Sequence, residues 1–197
     1  MNKALSAPLA NAARPAAAVR LRAAVIVLGG SALVAVCAHV ALSLYFTPVP
    51  LTLQTFAVLL LGLLLSPRMA AATLGAYLFE GTLGLPVFAP DPHLSAGVAH
   101  LLGPTGGYLI AYPLAAALIS FLWRRPRHGF SAAILCAAAG SLAILACGAL
   151  WLAMFTHASA QPALALAVLP FLPGDALKTA AAAAVATGFQ RLRRPVR

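Results

Sequence analysis

The sequence predicts an all-α polytopic membrane protein with six transmembrane helices and both termini in the cytoplasm. Three observations predict it. The 197 residues are 62% hydrophobic and 8% charged, whereas a soluble domain carries about 25% charge. Long apolar runs alternate with short polar breaks, and open strand edges are not tolerated in lipid, so the spans must be helices. All but one of the 13 Lys and Arg residues fall in alternate breaks, the signature of the positive-inside rule. The net charge of +10 is therefore a topology signal and not a nucleic-acid footprint, although attraction to anionic lipid is expected.

A span needs roughly 20 apolar residues. The first run, Ala23 to Phe46, has no formal charge. It exceeds the h-region of a secretory signal, about 7–15 residues, and reads as a retained helix. Residues 1–22 form a basic, Ala-rich tail expected to be poorly ordered. The second run, Leu53 to Leu65, is short and needs burial to span. The third runs from Met69 to Leu85, the fourth from Gly107 to Trp123 and the fifth from Ser131 to Phe155. The sixth, Ala163 to Phe189, is interrupted by Pro170, Pro173 and Gly174. The six-helix domain thus covers 23–190, and 191–197 is a basic cytoplasmic end. Arg68 marks one further cytoplasmic turn and Arg124, Arg125 and Arg127 another. The connections 47–52, 86–106 and 156–162 contain no Lys or Arg and lie outside. The three cysteines, Cys37, Cys136 and Cys147, sit within spans and read as packing residues, not as a disulfide framework.

A charge at the bilayer centre costs about 2.5–3.5 kcal/mol, so each one calls for a partner or a role. Glu80, Asp175 and Lys178 fall inside spans. Asp175 and Lys178 are i, i+3 and share a helix face with Thr179. Proline breaks a helix interior but suits a helix start, so a break near Pro173 puts Asp175 in the first turn of the following helix. This pair reads as the acceptor and cation of a ligand pocket, against an ion pair that merely holds the helix. Thr73, Tyr77, Glu80 and Gly84 form one polar stripe on the third span. It serves a pocket, helix–helix hydrogen bonding or, for Glu80, the outer interface. Tyr108 and Tyr112 are i, i+4, with an aromatic-belt position as the alternative for Tyr108. His39, alone on the first span, reads as a packed hydrogen-bonder. Thr52 and Thr55 share a face, with Gln54 directed elsewhere. The longest loop, 86–106, ends in Gly103-Pro-Thr-Gly-Gly-Tyr108, where glycines allow close approach of backbone to ligand.

No P-loop, zinc-protease or nucleophile-elbow motif is present, and no cysteine spacing suits a metal. No cofactor or metal is expected, and the chain carries no P-loop of its own for hydrolysing ATP.

Four ordered stretches carry a resemblance. They are Pro48-Val-Pro-Leu-Thr-Leu-Gln-Thr-Phe-Ala-Val-Leu-Leu, Tyr77-Leu-Phe-Glu-Gly-Thr-Leu-Gly-Leu-Pro-Val-Phe-Ala, Gly103-Pro-Thr-Gly-Gly-Tyr-Leu and Pro173-Gly-Asp-Ala-Leu-Lys. Over roughly residues 24–190 the chain resembles the BioY family, the biotin-specific substrate-binding (S) components of energy-coupling-factor transporters. The resemblance implies an S-component bundle in the bacterial cell (inner) membrane that binds biotin near the outer face. It also implies a transmembrane coupling protein and ATP-binding subunits as partners. Some family members occur without a dedicated set, which leaves open operation alone as an oligomer. Asp175 and Lys178 match the family's binding pair, and Thr52, Gln54, Tyr77, Glu80 and Tyr108 lie in matching motifs. Two departures stand out: the small-residue pattern on the first span is Ser31-x-x-x-Ala35 and Cys37-x-x-x-Ala41, and Pro90-Asp-Pro-His93 stiffens a loop that usually runs glycine-rich.

The alternatives are an S component for another vitamin, a membrane enzyme using Glu80, Asp175, Lys178 and His39 as acid–base groups, and an assembly subunit with a purely internal Asp175–Lys178 pair.

Overall fold

The computed structural model describes residues 16–91, 97–124, 129–157 and 159–193. The expectations for Lys3, Arg14, His93, Arg125, Arg127, Arg194 and Arg197 lie outside the described residues. Within them the chain is helical apart from one two-stranded ladder.

Helix α1 (Ala16–His39) begins earlier and ends sooner than the hydropathy implied. Ala-rich residues propagate the helix back through Arg20 and Arg22, so 16–22 is helix and not part of a disordered tail. At the other end Ala41–Leu42 forms β1, paired antiparallel with β2 (Leu51–Thr52) through Ala41↔Thr52 and Leu42↔Leu51. The apolar run to Phe46 is thus a helix followed by a hairpin. Hydropathy alone does not separate the two.

Helix α2 (Gln54–Leu64) is short, and nine of its 11 residues are buried. It packs against α1, against α5 (Gly106–Trp123), against α6 (Phe130–Thr156) and against α8 (Leu172–Arg193). That burial is the condition under which so short a segment was expected to span. Helix α3 (Pro67–Thr82) starts at Pro67 with Ser66 as N-cap, its hydroxyl accepting from Met69 N at 3.4 Å. Its neighbours are α1 and α5. The long 86–106 connection contains a short helix, α4 (Ala99–Leu102), which periodicity did not reveal. Helix α6 ends at His157 in the left-handed region, φ 52°. The sixth run divides into α7 (Ala160–Ala167), a turn, and α8 from Leu172, with Pro173 at its start and Asp175 in its first turn. This is the predicted break, displaced by one residue.

Among the described residues, α1, α5 and α6 are long and apolar enough to cross a membrane. Two apolar clusters fill the bundle. One, built around Leu59, Leu63, Ile119, Trp123 and the alanines of α8, is purely packing. The other contains Tyr77, Phe88, Tyr108, Tyr112 and Phe171 and carries the polar groups that matter below.

Candidate functional site

Asp175 and Lys178 are both buried, at 5% and 9% exposure. Helical spacing places them together, and Lys178 Nζ donates to Asp175 Oδ1 at 3.0 Å. From α6, Ser141 Oγ donates to Asp175 Oδ2 at 2.9 Å. Both carboxylate oxygens therefore have a donor, as a desolvated charge requires. An ammonium has three donors; one is committed to Asp175, and Lys178 lines a cavity of about 50 Å³.

The opposite wall comes from the hairpin and the start of α2. Thr52, Gln54 and Thr55 all line the cavity. Gln54 was expected to point elsewhere. The correction follows from the backbone: β2 ends at Thr52 and α2 begins at Gln54, so the turn between them folds the three polar side chains onto one side. Thr52 Oγ1 donates to Gln54 Oε1 at 3.0 Å, and Gln54 Nε2 donates to the Tyr77 hydroxyl at 2.6 Å. Tyr77 in turn donates to Val87 O at 3.1 Å. Tyr77 is fully buried and stands behind the wall as the support of Gln54.

Tyr108 lines the cavity at 7% exposure, turned into the bundle and away from the outer surface that an aromatic belt would occupy. Its hydroxyl donates to Ala167 O at 2.6 Å, tying α5 to the end of α7. The ring lies over Gly148, where any Cβ would overlap it. Gly107 similarly admits Trp151, whose Nε1 donates to Gly103 O at 2.8 Å. The Gly103–Tyr108 loop is thus fastened to α6 by close backbone approach.

Of the seven residues singled out in the sequence, the structure brings Thr52, Gln54, Tyr108 and Lys178 to the cavity wall, with Asp175 and Tyr77 one hydrogen bond behind. It does not bring Glu80 there. Glu80 is half-buried and accepts a hydrogen bond from Ser31 of α1. The polar stripe of α3 is therefore divided: Tyr77 serves the site, Glu80 serves the α1–α3 contact, and Thr73 bonds back to Met69 O in its own helix. His39 is exposed and bonds only along its own helix, to Ala35 O.

Sequence reasoning missed Ser141, Phe88, Asp91 and His100. Ser141 is one hydroxyl in an apolar helix, and nothing in its spacing pairs it with Asp175. Phe88, Asp91 and His100 belong to the loop, which closes the cavity. The Phe88 ring packs edge-on against Tyr77 at 5.5 Å and tilted against His100 at 5.4 Å. His100 Nε2 also contacts Ala89 O at 3.2 Å.

The bundle, three of whose described helices are long and apolar enough to cross a membrane, thus holds a cavity edged by an ion pair, hydroxyls, an amide, Asp91 and His100. Its fold matches a solved structure described as the S-component for biotin from an ECF-type ABC transporter, with a TM-score of 0.80 at 24% identity, covering 88% of this chain and 93% of that one. A protein of Pyrococcus horikoshii named probable biotin transporter BioY is 40% identical over 159 residues, 81% of this chain and 90% of its own. One of Thermotoga maritima named biotin transporter BioY is 33% identical, over 77% of this chain and 86% of its own. The BioY family model matches residues 9–195, and the chain belongs to the BioY family.

Proposed function

We propose that this chain is a biotin-uptake subunit. It captures biotin from the extracytoplasmic side and delivers it inward, as a binding and transport protein and not an enzyme. The observation that carries this reading is the buried Asp175–Lys178 pair beside a cavity whose wall adds hydroxyls, an amide, apolar side chains and, from the 86–106 loop, Asp91 and His100. Biotin offers ureido N–H donors, a ureido acceptor, an apolar thioether ring and a carboxylate tail. A buried site must satisfy each polar group. Lys178, on the cavity wall, donates to the ureido oxygen, and Asp175 holds its ammonium from behind. Thr52, Gln54 and Tyr108 supply further polar contacts, and Phe88, Leu109, Ile144 and Phe171 supply apolar wall.

In this reading α1, α2, α3, α5, α6 and α8 are the six crossing segments, and both termini are cytoplasmic by the distribution of arginines. The protein resides in the bacterial cell (inner) membrane. The relatives' names and the S-component fold support a transmembrane coupling protein and ATP-binding subunits as partners. The packed bundle reorients against them as a body while the helices keep their contacts.

The test is equilibrium biotin binding to the purified, detergent-solubilised chain, compared with Asp175→Asn. Tight binding that the substitution abolishes supports the reading. Absence of binding to folded wild-type protein moves the assignment to another vitamin.

A further inference from the structure

Two anchors in the pocket compete for biotin's two polar ends, and electrostatics chooses between them. Lys178 is already paired with Asp175 at 3.0 Å, so the pair is neutral as a unit. A ureido oxygen adds to it without adding net charge. A carboxylate placed on Lys178 would instead bring a second anion against Asp175, and like charges at such separation disfavour each other strongly. The ureido ring therefore belongs at the pair, and the carboxylate extends away from it.

What it meets there is unusual for an anion site. The connections 47–52, 86–106 and 156–162 contain no Lys or Arg, and His100, the imidazole on the inner cavity wall, has its Nε2 against Ala89 O at 3.2 Å. Beside the inner cavity lies an outer vestibule of about 640 Å³, bounded by residues Ser43 to Pro48 of the hairpin loop and by Pro90 and Pro104. The two spaces share Pro50 and Asp91 as wall residues. Among the described residues that line the vestibule, Asp91 is the acid, and none is Lys, Arg or His. The inner cavity, at about 50 Å³, is well below the roughly 300 Å³ of a pocket that encloses a whole ligand. Only the vestibule has room for a long tail.

We propose that this site reads the ureido–thioether head and leaves the far end of the chain in the vestibule, so that it accepts biotin whose carboxyl is already joined as an amide, including the ε-amide with lysine. The inference rests on the biotin reading given above. An amide is neutral and desolvates at lower cost than a carboxylate.

Competition binding on the full chain in lipid nanodiscs tests this, using biotin, its N-methyl amide, its lysine ε-amide and 2-iminobiotin, in which a guanidino group replaces the ureido. The amides are expected within about threefold of biotin, and 2-iminobiotin more than about tenfold weaker. Tight biotin binding with amides weakened 30-fold or more overturns the proposal alone and shows that the carboxylate is read inside the pocket. Failure of every ligand to bind overturns the biotin reading with it. Asp91→Arg supplies a second measure, read as a ratio and so independent of any general loss of folded protein. It should shift preference towards the free acid by about tenfold. An unchanged ratio would remove the tail from the vestibule.

Discussion

Two acids sit inside this bundle, and they do different work. Asp175 lies in the first turn of α8, 5% exposed, with a lysine on one oxygen and a serine on the other, beside a cavity. Glu80 lies near the end of α3, half-buried, bonded to Ser31 of α1, away from that cavity. In the sequence both are acids inside apolar spans, and Asp175 has in addition a cation one helical turn on, at Lys178. What separates them is the neighbour each meets across a helix interface. A basic partner on the same face creates a neutral unit that can exchange hydrogen bonds with a ligand, whereas a serine partner on a neighbouring helix creates a fastening.

The largest effect expected from this contrast is at Lys178. Lys178→Ala strands a buried carboxylate, which costs about 3–5 kcal/mol when a buried pair is broken. Biotin affinity should fall by more than about 100-fold, and thermal stability should fall with it. The double change Asp175→Asn with Lys178→Met distinguishes the two consequences. Without an unpaired charge it should melt above the Lys178→Ala protein, since replacing both members of a buried pair is often neutral or stabilising, yet it should not bind biotin. Melting curves and equilibrium binding on the same preparations check both. Recovery of binding in the double variant would return the pair to a purely structural role.

The pair was legible because i, i+3 spacing and a proline break are local facts, and an intramembrane ion demands an explanation. The six apolar runs each hold most of a helix, α1, α2, α3, α5, α6 and α8 in turn, because a chain this poor in charge leaves long apolar runs between its polar breaks. The rest was not local. The run to Phe46 hid a hairpin, since strand and helix are equally apolar there. Gln54 was misdirected because its direction depends on where β2 stops and α2 starts. Ser141, Phe88 and His100 enter the site through contacts 34 residues apart in sequence, as for Ser141–Asp175, or through loop packing that no period encodes.

A middle-sized effect is expected at Gly148, which belongs to neither acid but seats Tyr108. Gly148→Val drives side-chain atoms into the tyrosine ring, and overpacking typically costs about 1–3 kcal/mol. Tyr108 would lose its bond to Ala167 O, and biotin affinity should drop by roughly tenfold. Tyr108→Phe should lose less, about 1 kcal/mol for one hydrogen bond. If Gly148→Val and Tyr108→Phe weaken binding equally, the hydroxyl and not the ring position is what the site uses.

The smallest effect should be at the second acid, and it is the most direct way to break the contrast. Glu80→Gln keeps an acceptor for the Ser31 hydroxyl and removes the charge. Hydrogen bonds between membrane helices average about 0.6 kcal/mol, so stability should change by less than about 1 kcal/mol in either direction. Biotin affinity should stay within about threefold, because Glu80 is not among the residues that line the inner cavity. Asp175→Asn is an equally conservative change of the other acid, and it should abolish binding. Comparable losses from the two substitutions would mean that Glu80 reaches the ligand after all. In that event the polar stripe of α3 would have to act as one surface, with Tyr77 and Glu80 turned to the same side of the helix.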